Sequence, residues 1–488
     1  MSHCTKPPAG TQAGLRPRTV TGPAAAVAGS PPQFTQVVEA TAMRVVPVIA
    51  LSLLAAAASA DTADENVFEE AKLWTVQIRT AVDRAFSEDE QGSFFGAGLV
   101  VDAARGWVLT NAHVASHSYS EVNVIFRGER ALIAERLYVD PYLDIAVVAY
   151  DPGALAHPPP EPRLECESMP PVGHPVGAFG HPWGFRFTGT RGIASAVTSR
   201  LGPEMLQTDA PINQGNSGGP LISLSTGRVV AVNAATMRKD RTEGLNFAVP
   251  MPYVCTILDL LHAGRDPSPP ANLVDFASDE DGEQTLIVAR SRLPQGSLAL
   301  QPGDVMRAVG AAAVPLESET QLVDALRGGL ADVTLTVERD GRPVVLRGAW
   351  PAAPLVTERQ GLWISGALFA AADVLTAGQV TGIPQLMVHH VEPGSLADAT
   401  AISFSDLLVS ADGLPVDSLD ALQRIAARAA AERRELPLLF LRIASAEHNR
   451  LFNYERRLLD ASDLQFIGPA QPLAHARALA RERAPGME

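Results

Sequence analysis

Residues 212–222 read INQGNSGGPLI, in which one serine stands among glycines between apolar flanks. Glycine loses more backbone freedom on folding than any other residue, so such a cluster indicates an unusual backbone or a close approach to another molecule. A serine hydroxyl becomes a nucleophile for amide bonds when a neighbouring base can take its proton. Ser217 is therefore the first candidate for catalysis.

The other groups that amide attack requires occur in the same chain. His113 follows an apolar run in VLTNAHVA, and Asp144 precedes another in YLDIAVVAY. A histidine can take the serine proton, while a carboxylate orients the imidazole. The backbone around Gly215, Asn216 and Ser217 can offer amides to the oxygen of a tetrahedral intermediate if the chain turns tightly there. The pattern predicts a triad of His113, Asp144 and Ser217 beside an oxyanion hole.

Short β segments separated by turn residues would position these groups. They fill about residues 67–250 and read SFFGAGLVV, WVLTN, EVNVIF, ALIAERLYV, DIAVVAY, PVGAFG, GIASAV, RVVAVNA and LNFAVP. Many short strands at this spacing predict an all-β sandwich or a pair of barrels. Residues 252–264, PYVCTILDLLHAG, have apolar residues at helical spacing and a terminal glycine, so they predict a closing helix.

Two similar segments follow the Pro-rich linker DPSPPAN. Each has a Gly-Ser-Leu turn, an apolar strand that carries an aspartate, a second turn with proline, and a helix. Self-similarity at a period of about 100 residues favours a duplicated small domain over a solenoid, whose periods are shorter. We therefore expect small α+β domains at 270–350 and 360–469, and an Ala- and Arg-rich tail at 470–488.

The motifs TNAHV, DIAVV and GNSGGP, in that order, resemble the trypsin-like proteases and specifically the HtrA/Deg family of exported quality-control proteases. TDAPINQGNSGGPL and GLNFAVP are similar to the sequences of members of this family. The resemblance implies a mostly β chain, with a trypsin-like double β-barrel protease domain at 61–265. Two PDZ-like domains would follow that protease domain.

The resemblance also bears on activation. Digestive relatives carry aspartate at the position of Asn216, where it pairs with a new N-terminus after zymogen cleavage. Asparagine cannot form that ion pair, so the resemblance implies activation by loop rearrangement. Arg200 lies in a segment that could relay occupancy of the PDZ-like domains to the active site.

The residues near the serine partly predict the substrate specificity. Trypsin-like enzymes that prefer Arg or Lys carry an acidic residue six positions before the serine, whereas this chain has Pro211. The sequence therefore predicts a small apolar pocket for a Val, Ala, Ile or Leu side chain of the substrate, formed by Pro211, Ile212, Ala234 and Ala235. Such side chains are buried in folded proteins, so unfolded substrates would be favoured.

The PDZ-like domains imply binding of C-terminal peptides by strand addition. The stretch Gly361-Leu362-Trp363-Ile364 resembles the carboxylate loop of the second domain, and the first domain has no equally clear loop. The resemblance also implies a homo-oligomer that is built from trimers. Phe68 and Trp74 are candidates for the trimer contacts, although core packing explains them nearly as well.

Composition excludes other classes of function. The chain has 488 residues, 46% apolar and 19% charged, with a net charge of −15 and no cluster of Lys and Arg, so nucleic acid is not an expected partner. No phosphate loop or CxxC pair occurs, so no cofactor is expected. His174 and His181 each lie in a Gly-His-Pro turn, so we expect turn residues rather than metal ligands.

The N-terminal region has the features of a processing segment. From Met43 one arginine precedes an apolar run that ends in Ala58-Ser59-Ala60, which predicts a signal peptide cleaved after Ala60. Residues 1–42 would then precede the true start, the alternative being a disordered leader before a buried helix. The protein is thus expected to be exported to the periplasm, and association with the membrane surface is left open. Whether Cys166 pairs with Cys255 is left open by the sequence.

These observations predict an ATP-independent serine endopeptidase that cleaves unfolded exported proteins and is regulated by its PDZ-like domains. The alternative is a scaffold or chaperone that keeps the same fold without turnover. A viral-type processing protease is disfavoured by the signal peptide and the tandem domains.

Overall fold

The computed structural model describes residues 64–182, 187–200, 202–234, 245–278, 284–372, 384–446 and 449–469. These residues belong to one compact unit, Ala60–Glu488. The predicted leader, 1–60, and the predicted tail, 470–488, lie outside them. Within the described ranges no helix is both long enough and apolar enough to cross a membrane.

The first half of the protease region is a closed antiparallel barrel. After a helix at 64–74 (α1), its strands are connected in the order β1-β2-β3-β6-β5-β4. The four-residue helix α2, Ala112–Ala115, follows β3. Inward-facing side chains such as Val76, Leu99 and Val147 are fully buried. The strands are Thr75–Val82 (β1), Gly92–Asp102 (β2), Trp107–Thr110 (β3), Ser120–Ile125 (β4), Ala131–Asp140 (β5) and Ile145–Tyr150 (β6).

A second closed barrel follows, with the strand order β10-β11-β12-β9-β8-β7. The helix α3, Met251–His262, closes the protease region as the periodicity predicts, and its apolar face joins the main core. The two barrels together confirm the predicted trypsin-like double barrel. The strands are Pro175–Gly180 (β7), Thr188–Thr198 (β8), Met205–Thr208 (β9), Pro220–Ser223 (β10), Val229–Asn233 (β11) and Asn246–Pro250 (β12).

Cys166 and Cys255 form a disulfide, which answers the question that the sequence left open. Their Cα atoms are 5.7 Å apart, and 89 positions separate them along the chain. The bond ties the connection between the barrels to α3. A cross-link that closes a loop of this length restricts the unfolded chain and so stabilises the folded one.

Reduction of this disulfide is expected to lower the free energy of unfolding by about 2–4 kcal/mol, as is typical when a native disulfide is removed. The measurement is urea denaturation of the oxidised protein, of the reduced protein and of a Cys166→Ser/Cys255→Ser double variant. The double variant should match the reduced wild type and be insensitive to reductant. An oxidised protein that unfolds at the same urea concentration as the reduced one would contradict the expectation.

The first C-terminal region is a sheet in the order β13-β14-β15-β17-β18, with the short strand β16 paired to β15. The helix α4, Glu319–Leu326, is capped by Ser318, whose hydroxyl accepts a hydrogen bond from the Gln321 amide. The strands are Val274–Ser278 (β13), Gln284–Ser291 (β14), Val305–Val309 (β15), Val314–Pro315 (β16), Val333–Arg339 (β17) and Arg342–Gly348 (β18).

The second C-terminal region is a larger sheet in the order β25-β24-β22-β21-β20-β19-β26, with β23 paired to β22. Ser418 caps its longer helix, as Ser318 caps α4. The strands are Gly361–Ile364 (β19), Ala367–Ala371 (β20), Leu386–Val391 (β21), Leu407–Ala411 (β22), Leu414–Pro415 (β23), Leu436–Ala446 (β24), Asn449–Leu459 (β25) and Leu464–Ile467 (β26), and the helices are Leu396–Ala399 (α5) and Leu419–Ala431 (α6).

An ion pair repeats between the two C-terminal regions. The carboxylate of Asp304 lies 2.7 and 2.8 Å from two guanidinium nitrogens of Arg339, and Asp406 binds Arg442 at 2.7 Å through both oxygens. Both aspartates are the ones that the sequence places at the start of an apolar strand, and both are 1% exposed. Bidentate pairs fix the geometry of both partners. The same device at the same point supports the interpretation of the two regions as copies of one small domain.

Candidate active site

His113 and Asp144 meet at the rim of the first barrel. His113 lies in α2, and its Nδ1 is 2.7 Å from Asp144 Oδ2, while its backbone amide donates to Asp144 Oδ1 at 2.9 Å. Two contacts to one carboxylate fix the imidazole both in position and in orientation. With Nδ1 held by a carboxylate, Nε2 is the nitrogen that can accept a proton from a nucleophile.

The turn that carries Asp144 is held by hydrogen bonds to the residues just before His113. Asp144 has a φ of +56°, in the left-handed region that aspartate tolerates better than most residues. Its carbonyl accepts hydrogen bonds from the Ala112 amide at 3.1 Å and from Asn111 Nδ2 at 2.9 Å. These bonds join the loop of Asp144 directly to the helix of His113, so the two residues move as one piece.

Ser217 lies in the second barrel and is anchored to the first. Its carbonyl accepts a hydrogen bond from the Ala97 amide at 2.8 Å. Gly218 has a φ of +81°, and a Cβ there would lie 2.2 Å from the Ala97 carbonyl oxygen and 2.2 Å from Thr110 Oγ1. Gly218 therefore allows the serine loop to pass against β2 and β3, a close approach within the chain rather than to another molecule.

The backbone before the serine has the turn that an oxyanion hole requires. Gly215 has a φ of +102°, and a Cβ there would lie 2.3 Å from the His181 carbonyl oxygen, so no other residue fits easily. Within the described residues the amides of Gly215 and Ser217 have no hydrogen-bond acceptor, whereas the Asn216 amide donates to Asn213 at 2.9 Å. Of the three residues predicted for the hole, Gly215 and Ser217 thus offer their amides and Asn216 does not.

The buried side chain of Asn216 has no partner for either amide atom among the residues that the structure describes. A buried polar group without a partner costs free energy, so it marks a loop that gains from rearranging. Ser217 and His113 likewise make no hydrogen bond to each other here. Catalytic contacts of this kind are often long in the absence of substrate and tighten when it binds.

The electrostatics suit a base. Burial acts to lower the pKa of His113, but the charge and hydrogen bond of Asp144 outweigh it, Asp89 adds to them, and the pKa is raised above the usual value. The side chains of His113 and Asp144 are each 37% exposed, so substrate can reach them. An imidazole with a raised pKa accepts a proton from serine more readily when it starts neutral.

The predicted pocket residues lie in different surroundings. Ile212 is buried in the core of the second barrel, and Ala234 is buried in the main core, where its amide donates to Phe247. Pro211 is exposed, and its carbonyl accepts a hydrogen bond from Thr190 at 2.8 Å. Ala235 lies outside the described residues. The pocket itself remains a prediction.

Arg200 lies in the segment between β8 and β9. It follows β8, and its amide donates to Thr198 Oγ1 at 3.3 Å. Four residues later the Glu204 amide donates to Thr320 Oγ1 of α4 at 2.8 Å. This bond joins the segment before β9 to the helix of the first domain, and the relay proposed for Arg200 remains a prediction.

Residues 361–364, predicted as a carboxylate loop, form the strand β19 and not a loop. Gly361 pairs with Ala370 on one side and with Ile467 on the other, so both edges of this strand are taken. All four residues are buried. A backbone whose amides serve two neighbouring strands cannot also hold a terminal carboxylate, which corrects the prediction for this structure.

The two predicted turn histidines and the two candidates for trimer contacts all lie against residues of the same chain. His174 Nε2 lies 2.7 Å from Ser223 Oγ, and His181 Nδ1 accepts a hydrogen bond from the Phe187 amide at 3.2 Å. Phe68 stacks on Phe179 with ring centroids 5.8 Å apart, and Trp74 is 6% exposed in the core. No group of three His, Cys, Asp or Glu side chains within the described ranges could hold a metal ion.

Two contributors near the triad were not found from the sequence. Asp140 begins the turn that leads to Asp144 and forms an ion pair with Arg327 of the first C-terminal domain, at 2.6 Å and with both side chains fully buried. Asp89 lies behind His113. Neither has a sequence signal beyond its residue type, because the partners are separated by up to 187 positions.

The double barrel and the His-Asp-Ser arrangement define the class of trypsin-like serine proteases. The profile of the trypsin-like peptidase domain family matches residues 96–232, which contain all three residues. A relative supports the same class over a longer stretch of the chain. The chain is 32% identical over 284 residues to the serine protease Do-like HtrA of Lactococcus lactis, a match that covers 51% of this chain and 68% of that relative.

The chain therefore belongs to the HtrA/Deg family. It is also 31% identical over 264 residues to a probable periplasmic serine endoprotease DegP-like of Pseudomonas fluorescens, covering 51% of this chain and 54% of the relative, so it spans about half of that relative's length. Among solved structures, the HtrA-type protease AlgW with tripeptide aligns with a TM-score of 0.48 at 24% identity, over 60% of this chain and 97% of that chain. The family assignment depends on the sequence relatives.

Proposed function

We propose that this protein is an ATP-independent serine endopeptidase that cleaves unfolded exported polypeptides. The observation that carries the proposal is the double contact of His113 with Asp144 beside a serine loop whose Gly215 and Ser217 amides have no acceptor among the residues that the structure describes. An imidazole held by a carboxylate and two unused amides near a serine are the parts that acyl transfer needs.

The mechanism follows from this geometry. Ser217 Oγ attacks the scissile carbonyl while His113 Nε2 takes its proton, and the Gly215 and Ser217 amides stabilise the oxyanion. His113 then returns the proton to the leaving amine, which leaves an acyl-enzyme on Ser217. Water, deprotonated by the same imidazole, hydrolyses the ester. Asp144 holds the tautomer and stabilises the imidazolium at each stage.

We infer that the protein works outside the cytoplasm. The predicted signal peptide and the Cys166–Cys255 disulfide support this inference, because disulfides persist in oxidising compartments. The relatives from Pseudomonas fluorescens and Salmonella typhimurium are named periplasmic endoproteases. Unfolded chains are the proposed substrates, because a pocket for Val, Ala, Ile or Leu reaches its target only when that side chain leaves a core.

The proposed regulation by peptides differs between the two C-terminal domains. In the described part of the first domain, β13 pairs with β14 alone, so its other edge suits strand addition. In the second domain, the strand that corresponds to β13 is β20; its other edge is covered by β19, and the chain's own strand β26 covers the outer edge of β19. A peptide would have to displace residues 464–467 before it could add to the sheet at β19.

Removal of residues 463–488 is therefore expected to open the second domain to peptides. A fluorescent peptide with the sequence SDLQFIGP should bind the truncated chain about 100-fold more tightly than the full chain. This factor assumes a peptide Kd of about 10 µM and an effective concentration of about 1 mM for the tethered strand. Fluorescence anisotropy measures both affinities.

A peptide with proline in place of the phenylalanine serves as the control, because Phe466 pairs with Leu362 and proline cannot continue the ladder. Equal binding of SDLQFIGP to the truncated and full chains would contradict the closed edge.

Oligomerisation through Phe68 and Trp74 has less support, since both residues pack within the chain. Sedimentation of the protein measures the assembly state.

The proposed function is tested with the chain from Asp61 onward, reduced casein and a fluorophosphonate probe. We expect casein fragments whose new C-termini are Val, Ala, Ile or Leu, and probe attached to Ser217 as located by mass spectrometry. A homologue that only binds unfolded chains would suppress aggregation without fragments and without label. That result, also in the presence of C-terminal peptides, would favour the scaffold alternative.

A further inference from the structure

The turn after the catalytic helix is held by a carboxylate from a distant loop. Asp89 Oδ2 accepts hydrogen bonds from Ser116 Oγ at 2.7 Å, from the Ser118 amide at 2.7 Å and from Ser118 Oγ at 2.5 Å. Ser116 is the residue that ends α2, three positions after His113, and its φ is +73°. This conformation is unfavourable for serine, so it persists only where other contacts impose it.

Asp89 is a charged group inside the protein. Its side chain is 3% exposed, and Oδ1 lies 3.4 Å from His117 Nδ1. Burial acts to raise the pKa of Asp89, but hydrogen bonds from His117, Ser118 and Ser116 outweigh it and lower the pKa to about 2. The carboxylate is thus ionised whenever the enzyme works, and a buried ion with this many donors has a fixed position.

A second charged group holds the same turn from the other side. Arg136, on β5, donates to the carbonyl of Ser116 at 2.9 Å and also to the carbonyl of Ser118. The carbonyls and the donors of the Ser116–Ser118 turn are therefore both engaged by ionised side chains. None of these contacts involves a side chain of the triad.

The loop that carries Asp89 is fixed in turn by the second C-terminal domain. Phe86 is buried with Trp363, Leu368 and Ala370, and the guanidinium of Arg359 lies 4.4 Å from the centre of its ring. Arg359 also binds both oxygens of Glu88 at 2.8 Å. Asp89 thus projects from an anchored turn, as a group must if it is to hold another residue in place.

We propose that Asp89 is a positioning residue for His113, acting through the Ser116–Ser118 turn that ends the catalytic helix. The inference rests on the proposed protease function for its kinetic consequence, but not for its structural one. Without the carboxylate, the hydroxyl of Ser116 and the amide and hydroxyl of Ser118 lose their common acceptor, and the end of α2 is less constrained. Small displacements of a catalytic base are enough to lower the rate of the chemical step by about 100-fold.

The charged and titratable groups that face His113 and its supporting turn are Asp144 from the β5–β6 loop, Asp89 from the β1–β2 loop, His117 from the turn itself and Arg136 from β5. Asp144 is present in all variants of the test. Loss of the Asp89 charge removes one contribution that raises the pKa of His113. A residue that only supported the structure far from the imidazole would leave the pKa of His113 unchanged.

The experiment compares Asp89→Asn with Glu90→Gln, the same loss of charge at the exposed neighbouring residue. On an unfolded peptide substrate, Asp89→Asn should lower kcat by about 10- to 100-fold with little change in KM, and Glu90→Gln should leave both unchanged. NMR titration of the imidazole in a Ser217→Ala background, with the His113 signal assigned by its loss in His113→Gln, should give a lower midpoint in Asp89→Asn only.

The titration requires no turnover, so it tests Asp89 even if the wild-type protein cleaves nothing and the protease assignment fails. Ser118→Ala, which removes one donor and keeps the charge, should lower kcat by a smaller factor and keeps the test available if Asp89→Asn does not fold. An unchanged kcat and an unchanged His113 midpoint in a folded Asp89→Asn protein would overturn the proposal. An equal loss of kcat in Glu90→Gln would overturn it as well.

Discussion

Replacement of Ser217 by alanine is expected to lower kcat by about 10⁶-fold, and His113→Ala should lower it by a similar factor. The two residues act in one step, because the hydroxyl is a weak nucleophile without the base and the base has no proton to take without the hydroxyl. The double variant should therefore be no slower than either single variant. Residual cleavage, from binding and the oxyanion amides, should remain about 10³-fold above the reaction in water.

Asp144→Asn should cost less, about 10⁴-fold in kcat, because an amide can keep the contact at Nδ1 only with the wrong tautomer. The pH profile provides a separate check. Activity requires neutral His113, so it should fall as the pH drops through the raised pKa of this residue, which Asp144 sustains. In Asp144→Asn the acid limb should move to lower pH.

These factors are measured with a quenched-fluorescence peptide under single-turnover conditions, which isolate the chemical step from product release. Gly215→Ala provides a comparison, because it disturbs the backbone of the hole and leaves the triad side chains in place. If losses in the Ser217→Ala and His113→Ala variants added in the double variant, the two residues would not be working as one unit, and the assigned roles would be wrong.

Loss of the guanidinium at position 327 is expected to have the largest effect on stability. Arg327 and Asp140 lie 2.6 Å apart, and the exposed fraction of each side chain is zero. Removal of one partner leaves the other charge buried without compensation, which costs about 3–5 kcal/mol. Arg327→Met should therefore lower the free energy of unfolding by about that amount, although the new side chain has a similar volume.

The effect should extend to the active site. Asp140 Oδ1 accepts hydrogen bonds from the amides of Tyr142 and Leu143, at 3.0 and 2.7 Å, and so shapes the turn that presents Asp144. A carboxylate without Arg327 gains by moving towards water, and this movement would disturb the turn. Lower kcat in Arg327→Met, measured below its unfolding temperature, would reveal the connection.

Arg307→Met is the matched control, because Arg307 pairs with Glu338 in the same domain and both side chains are well exposed, at 57% and 40%. Exposed pairs contribute about 0–1 kcal/mol, so this variant should unfold almost as the wild type does. Urea denaturation followed by tryptophan fluorescence measures both variants. Similar midpoints for Arg327→Met and Arg307→Met would show that the buried pair does not hold the first domain to the barrel.

Much of the protease domain could be predicted from local sequence. Side-chain periodicity within a segment predicts its β strands and the closing helix. The glycines at 215 and 218 are predicted by the backbone conformation that a tight turn requires. Both signals lie within the segment concerned. The triad could also be predicted, since TNAHV, DIAVV and GNSGGP occur in a characteristic order. The strands at Thr75–Val82 and Pro220–Ser223 were not singled out, because their alternation is weak and barrel closure decides their pairing.

By itself, then, the sequence determined the fold class, and it predicted the candidate triad and a duplicated C-terminal domain. Only the tertiary structure decided that Cys166 pairs with Cys255, that Gly361–Ile364 is a strand covered by Leu464–Ile467, that Asp89 binds the turn after His113, and that Arg327 pairs with Asp140. Local patterns encode the preferred conformation of a segment. Contacts between positions up to several hundred residues apart depend on how the segments pack, and no single segment carries that information.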